Sequence, residues 1–247
     1  MVSPVTDPDR TGTLFLLAVT GSLGCGKSRV SRWLAGQGAH LLDADQDARA
    51  VLVPGSTGWQ AVLDRFGMAM LAGEGPVTAR PIDRRRLGET VFQDPQARLD
   101  LEAIVHPRIY QRQAQALTRW QQATPPGTTA LVVAEVPLLF EADCARRFDR
   151  TAVVLCGATQ TERLRDRGGM AIPVQQAVIA RQLPEQEKQR LAHHAIDNSG
   201  AWPATEQQLQ ALWSSVCQQA PATTTRAWPH HWPESRTTAR GEGSDNS

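Results

Sequence analysis

Gly21-Ser22-Leu23-Gly24-Cys25-Gly26-Lys27-Ser28 is the stretch that decides how this chain is read. It fits G-x-x-x-x-G-K-[ST], a loop whose glycines let the backbone curl until successive N–H groups point inward at phosphate oxygens. The lysine of such a loop reaches the β- and γ-phosphates of a nucleotide, and the hydroxyl after it is offered to Mg2+. Four fixed letters arise by chance in about 1 in 100 chains of this length. The surroundings narrow that further, because the loop needs a strand before it and a helix after it. Leu14-Phe15-Leu16-Leu17-Ala18-Val19 is an unbroken apolar run of strand length, the pattern of a parallel strand buried on both faces. Val30, Trp33 and Leu34 follow at i, i+3 and i+4, one face of a helix.

Outward from the loop the alternation continues. Ala39 to Leu42, Ala130 to Val136 and Ala152 to Cys156 read as further strands, and Thr161 to Arg167, Val174 to Leu183 and Ala204 to Val216 as helices. From Gly58 to about Gln122 the pattern is helical, with a helix starting at Pro95 and interrupted at Pro107. No internal repeat is evident. The expectation is an α/β fold with a central parallel sheet and an inserted helical subdomain.

Composition bounds the possibilities. With 247 residues, 41% of them hydrophobic, one domain with an insert is the natural size. Lys+Arg 26 against Asp+Glu 25 gives a net charge of +1, so nothing in the charge balance calls for nucleic acid or an anionic membrane. No apolar run approaches the ~20 residues of a membrane span, and Asp7, Asp9 and Arg10 precede the first apolar run, unlike a signal peptide. Cys25, Cys144, Cys156 and Cys217 are widely spaced with no CxxC pair, and read as reduced thiols of a cytoplasmic protein. Lysine occurs only at Lys27 and Lys188; every other Lys/Arg position is arginine. Residues 1–12 and 220–247 have the composition of disordered ends. His230 and His231, between Trp228 and Trp232, lack the further ligands a metal tract requires.

Several residues are candidates for the chemistry of phosphate transfer. Asp43-Ala44-Asp45 follows the second strand, where an open parallel sheet binds its ligands. An aspartate there either takes the proton of an acceptor hydroxyl or caps a helix. Glu135 ends the third strand, as a carboxylate for Mg2+ or as a polar strand terminus. Arg163 and Arg167, at i and i+4, either project over a bound nucleotide or form a solvated face with Glu162 and Asp166. A guanine-specific switch is excluded, because it needs Asn-Lys-x-Asp and Lys188 stands in Glu187-Lys188-Gln189-Arg190.

Together these pieces resemble the dephospho-coenzyme A kinase family. The resemblance begins at Leu17 and runs through the phosphate loop, then Leu42-Asp43-Ala44-Asp45 with Ala48-Arg49, similar to the family's D-A-D-x-x-A-R. It continues through Pro54-Gly55-Ser56, Arg65-Phe66-Gly67, Arg84-Arg85 with Leu87, Val91-Phe92 and Asp94-Pro95. Leu101 to Pro107, Val136-Pro137-Leu138-Leu139-Phe140-Glu141 and Ile196-Asp197-Asn198-Ser199-Gly200 complete it, over about residues 14–217.

The resemblance implies a P-loop kinase of three α/β/α layers, spanning residues 13–219. It implies a substrate-binding helical insert over about 58–122 and a helical lid over about 159–192. ATP would phosphorylate the ribose 3′-hydroxyl of dephospho-CoA, with Mg2+ as cofactor. Asp45 becomes the expected general base, Lys27, Arg163 and Arg167 the expected catalytic cations, and Ser28 and Glu135 the expected metal residues. Gly24, Cys25, Gly26, Lys27, Ser28, Arg29 and Asn198 would bind ATP, with Asn198 on the adenine side. Arg84, Arg85 and His106 fall in the segment expected to meet the CoA moiety. Small molecules are the expected partners, with no nucleic acid and no membrane, and a monomer or weak homo-oligomer is expected.

The chain also departs from the family's pattern. Ser22-Leu23 stands where Gly-Ile is usual, Cys25 where Ser is common, Arg29 where Thr is usual, and His193-His194 where an acidic pair precedes Ile-Asp-Asn. None of these removes a loop N–H, the lysine or the magnesium hydroxyl. The histidines exchange negative for largely neutral groups near the nucleotide.

Overall fold

The computed structural model describes residues 12–167 and 172–220. Residues 1–11 and 221–247, with Trp228, His230, His231 and Trp232, lie outside the described residues, as do the side chains of Asp166 and Arg167.

Five parallel strands form the sheet: β1 (Thr13–Gly21), β2 (His40–Leu42), β3 (Thr129–Glu135), β4 (Arg150–Leu155) and β5 (His194–Asp197), in the order β2-β3-β1-β4-β5. Val19 lies beside Glu135 and Gly21 beside Val154, so the strands finish at a common edge. Alternation divides β1 between two cores. Phe15, Leu17 and Val19 face α1 (Lys27–Gly36) and α9 (Trp202–Gln219), where Val30, Leu34, Leu209, Leu212 and Val216 are buried. Leu14, Leu16 and Ala18 face the other way, toward Leu117, Leu139 and Phe148. Helices therefore cover both faces, which is why β1 is apolar at every position from Leu14 to Val19 rather than at alternate ones.

Between β2 and β3 lie α2 (Ala44–Ala50), α3 (Thr57–Phe66), α4 (Arg84–Gln93) and α5 (Pro95–Ala123). Trp59, Val62, Leu63, Met70, Leu71, Ile82 and Leu87 give this segment its own buried cluster. The expected break at Pro107 does not occur: α5 runs unbroken for 29 residues, about 44 Å of rod. Pro107 has no N–H for the Ala103 carbonyl, but both residues are exposed, so water can satisfy that oxygen. Val105 and Ile109 are buried on the opposite side, and burying two such side chains offsets the roughly 3 kcal/mol an interior proline costs. One rigid helix thus spans from the helical cluster to the sheet, where Leu117 and Trp120 pack.

The third strand begins and ends one residue earlier than its apolar pattern suggested. Two elements carried too little pattern to be read. β5 is four residues long with only Ile196 buried. α8 (Glu185–Leu191) is polar up to Leu191, with Glu185, Glu187, Lys188 and Arg190 charged, yet it buries Lys188. The helix expected over Val174 to Leu183 is α7 (Ile172–Ala180).

Candidate active site

The common strand edge gathers most of the candidate residues. The phosphate loop leaves β1, Asp43 and Asp45 follow β2, Glu135 ends β3, and Asn198 follows β5. Gly26 is the residue before α1, with φ 95°, a backbone region that glycine enters without steric cost. A Cβ there would run into the Asn198 amide, and one at Gly24 (φ 80°) into Leu164 of α6 (Gln160–Arg167). The loop is therefore walled in on two sides.

Lys27 opens α1 and turns its ammonium back over the loop, donating to the carbonyls of Gly21 and Ser22, each at 2.9 Å. The Cys25 thiol is buried 3.9 Å from it, and burial raises its pKa more than the lysine lowers it. All four cysteines are free, as the sequence reading expects.

The two residues expected at a metal come together. Ser28 Oγ donates to Glu135 Oε2 at 3.0 Å. Burial raises the Glu135 pKa, the Ser28 hydrogen bond opposes that shift, and the nearby Asp43 carboxylate adds to it. A hydroxyl and two carboxylates are hard oxygen donors, the set that suits Mg2+ bridged to phosphates.

Of the two aspartates of the motif, Asp43 takes the capping role. Asp43 caps α2, accepting the Gln46 N–H at 3.0 Å, while Asp45 stands exposed in the first helical turn. Two residues on, Asp47 holds α2 against α5 by accepting from Arg112 Nε and Gln113 Nε2, each at 3.2 Å. The helix that carries Asp45 is thereby docked on the long rod.

Asn198 is buried and committed to the loop: its Nδ2 donates to the Cys25 carbonyl at 2.8 Å, and its Oδ1 accepts the Thr205 hydroxyl at 3.1 Å. Arg163 Nη2 donates to the Asn198 carbonyl at 2.6 Å, so its guanidinium is anchored beside β5 rather than projecting freely. Arg167 ends α6, its side chain outside the described residues. Arg29 lays its guanidinium over the Trp202 ring at 3.7 Å from the centroid. Arg84 and Arg85 open α4, with Arg85 paired to Glu89 at the surface. His106 lies against Tyr110 on α5, its pKa lowered by burial. Among the described residues, no hydrogen bond or ion pair joins Arg84, Arg85 or His106 to Asp45 or the loop.

Sequence reasoning missed four residues around the loop. Gln182 accepts the Leu23 N–H and Gln160 donates to the Leu23 carbonyl. Glu185 accepts the Cys156 and Gly157 N–H groups beyond β4, at 2.6 and 3.0 Å. Lys188 is fully buried against Glu141 at 3.0 Å. The rarity of lysine was the one signal pointing toward that last pair.

A parallel sheet whose first strand feeds a glycine-rich phosphate loop, with Ser28 bonded to Glu135 beside it, defines a P-loop kinase. The model of the dephospho-CoA kinase family matches residues 15–203, and the chain belongs to that family. A dephospho-CoA kinase of Frankia casuarinae is 35% identical over 214 residues, covering 86% of this chain and 88% of that relative. One from Synechococcus sp. (strain CC9605) is 39% identical over 197 residues, 79% of this chain and 90% of its own. A crystal structure from Thermus thermophilus superposes with a TM-score of 0.64 at 29% identity, over 83% of this chain and 98% of that one. The dephospho-CoA kinase from Campylobacter jejuni, at 23% identity, shares the fold with a TM-score of 0.56, over 83% of this chain and 98% of its own. Among the described residues, no helix is long and apolar enough to cross a membrane.

Proposed function

We propose that the chain transfers the γ-phosphoryl group of ATP to the ribose 3′-hydroxyl of dephospho-CoA, giving coenzyme A and ADP in the last step of coenzyme A biosynthesis. Family membership supplies the substrate pair. The observation that carries the chemistry is that the phosphate loop, Glu135 and the Asp45 helix leave three adjacent strands, β1, β3 and β2, at one edge.

In this reading the loop N–H groups and the α1 N-terminus hold the nucleotide phosphates, and Lys27 swings from its carbonyl partners to the β- and γ-oxygens. The acceptor 3′-oxygen forms the new bond to the γ-phosphorus as the bond to the β,γ-bridging oxygen breaks. Asp45 takes the proton of the attacking hydroxyl, a role suited to an exposed carboxylate on a docked helix. Ser28 and Glu135 would hold Mg2+, which when bound neutralises charge on the phosphate oxygens. Arg163 and Arg167 offset the charge spreading over the transferred group, with Arg163 leaving the Asn198 carbonyl to do so. Asn198 braces the loop on the adenine side, and Arg29 lies at the start of α1 near the phosphates. Arg84, Arg85 and His106 meet the CoA moiety from α4 and α5.

The four free thiols support a cytoplasmic setting; a monomer or weak homo-oligomer completes the reading. The test is ADP release that depends on added dephospho-CoA. Labelling of another small hydroxyl acceptor but not of dephospho-CoA would overturn the substrate assignment.

A further inference from the structure

The two peptide groups that flank the Leu23 Cα are each held by a side chain. Gln182 Oε1 accepts the Leu23 N–H at 2.9 Å, and Gln160 Nε2 donates to the Leu23 carbonyl at 2.8 Å, from 159 and 137 residues away in the chain. A phosphate loop works by aiming N–H groups at one point. Gln160 holds the peptide plane that carries the Gly24 N–H, and Gln182 holds the plane before it, so the two amides together fix the turn of the loop at Leu23.

Gln182 is itself held firmly. The N–H of its neighbour Leu183 donates to Glu141 Oε1 at 2.8 Å. The same oxygen lies 3.0 Å from Lys188 Nζ, which is 0% exposed. Three residues beyond Gln182, Glu185 clasps the two N–H groups after β4. Residues 182–188 are thus pinned by one buried ion pair and three backbone hydrogen bonds, and the free end of that assembly is the amide oxygen on Leu23. A segment built only to pack would not need a buried lysine, whose desolvation costs several kcal/mol before its partner compensates.

We propose that Gln182, seated by the Glu141–Lys188 pair, is a positioning residue of phosphoryl transfer that sets the curvature of the phosphate loop through the Leu23 N–H. This rests on the reading of the loop as an ATP site. It acts on the nucleotide side alone, so its loss separates the two substrates.

The experiment compares Gln182→Met, which keeps the stem and removes the acceptor, with the wild-type full chain. ATP affinity is measured by calorimetry without acceptor, KM for each substrate by the coupled assay, and Tm by thermal melting. The expected result is ATP binding weakened about tenfold, with KM for dephospho-CoA within about twofold and Tm within a few degrees. Lys188→Arg, which keeps the charge, is expected to bind ATP like the wild type. The paired neutral variant Glu141→Gln with Lys188→Met is expected to show the Gln182→Met defect. Unchanged ATP binding in Gln182→Met would overturn the proposal, as would equal losses for both substrates with a fall in Tm. ATP binding is read without the acceptor, so a wild type that bound ATP yet ignored dephospho-CoA would refute the substrate assignment and leave this comparison intact.

Discussion

Glu135, the last residue of β3, accepts the hydroxyl of Ser28 at 3.0 Å, joining the end of one strand to the first turn of the helix that follows its neighbour. The bond sets two oxygen donors side by side; burial raises the Glu135 pKa and so works against its charged form, which a bound cation would favour. Glu135→Gln is expected to raise the Mg2+ concentration for half-maximal activity about tenfold while leaving metal-free nucleotide binding within twofold. A titration with an unshifted midpoint would remove Glu135 from the metal site.

Lys27 and Asp45 are expected to fail differently. Lys27→Ala removes the one cation of the loop, and turnover is expected to fall by about 10²- to 10³-fold. Asp45→Asn keeps the shape and loses the base, so kcat is expected to fall about 10²- to 10⁴-fold with ATP binding unchanged. Near-normal kcat in Asp45→Asn would exclude the general-base role.

Gly26→Ala tests the wall of the loop. The φ of 95° is strained for any other residue, by roughly 1–2 kcal/mol, and the new methyl would displace the Asn198 amide from the Cys25 carbonyl. The expected outcome is loss of ATP binding together with a lower Tm. Asn198→Ala, which takes the donor from the Cys25 carbonyl, is expected to cost about 1–3 kcal/mol in urea unfolding.

Lys188→Met strands the Glu141 carboxylate, which is largely out of water, and is expected to destabilise the chain by about 3–5 kcal/mol. Adding Glu141→Gln is expected to restore most of that. Equal instability of the single and double variants would show that packing of the lysine stem, not charge, is what matters.

The histidines set the acid limit. Thr151 donates its N–H to His193 Nδ1 at 3.2 Å, so that nitrogen acts as an acceptor and the ring is neutral. Burial lowers the pKa of His40, His193 and His194, with Arg150 adding to the shift at the last two. The unfolded chain therefore binds these protons first, and stability is complete above about pH 6.5 and falls as the pH drops toward the lowered folded values. Glu135, raised by burial, contributes the opposite sign. The urea midpoint is expected to be lower at pH 5.5 than at pH 7.5; an equal or higher midpoint at pH 5.5 would contradict this account.

Some of this was legible in the sequence because it is local. A phosphate loop between an apolar run and an amphipathic face needs only neighbouring residues, and Asp43-Ala44-Asp45 needs only the strand before it. Ser28 and Glu135 could be nominated singly for the same reason. Pro107 misled because proline chemistry is local, whereas the burial of Val105 and Ile109 that keeps α5 whole belongs to the packed molecule.

The sequence by itself determined the loop, the glycines that shape it, four of the five strands and the residue types that handle phosphate. The tertiary structure decided what holds that loop: Asn198 on Cys25, Gln160 and Gln182 on Leu23, and Lys188 on Glu141. The loop contacts join residues 137 to 173 positions apart. Their partners are fixed by the strand order β2-β3-β1-β4-β5, which local periodicity does not encode, because each strand's pattern reports that it is buried and not which strand lies beside it.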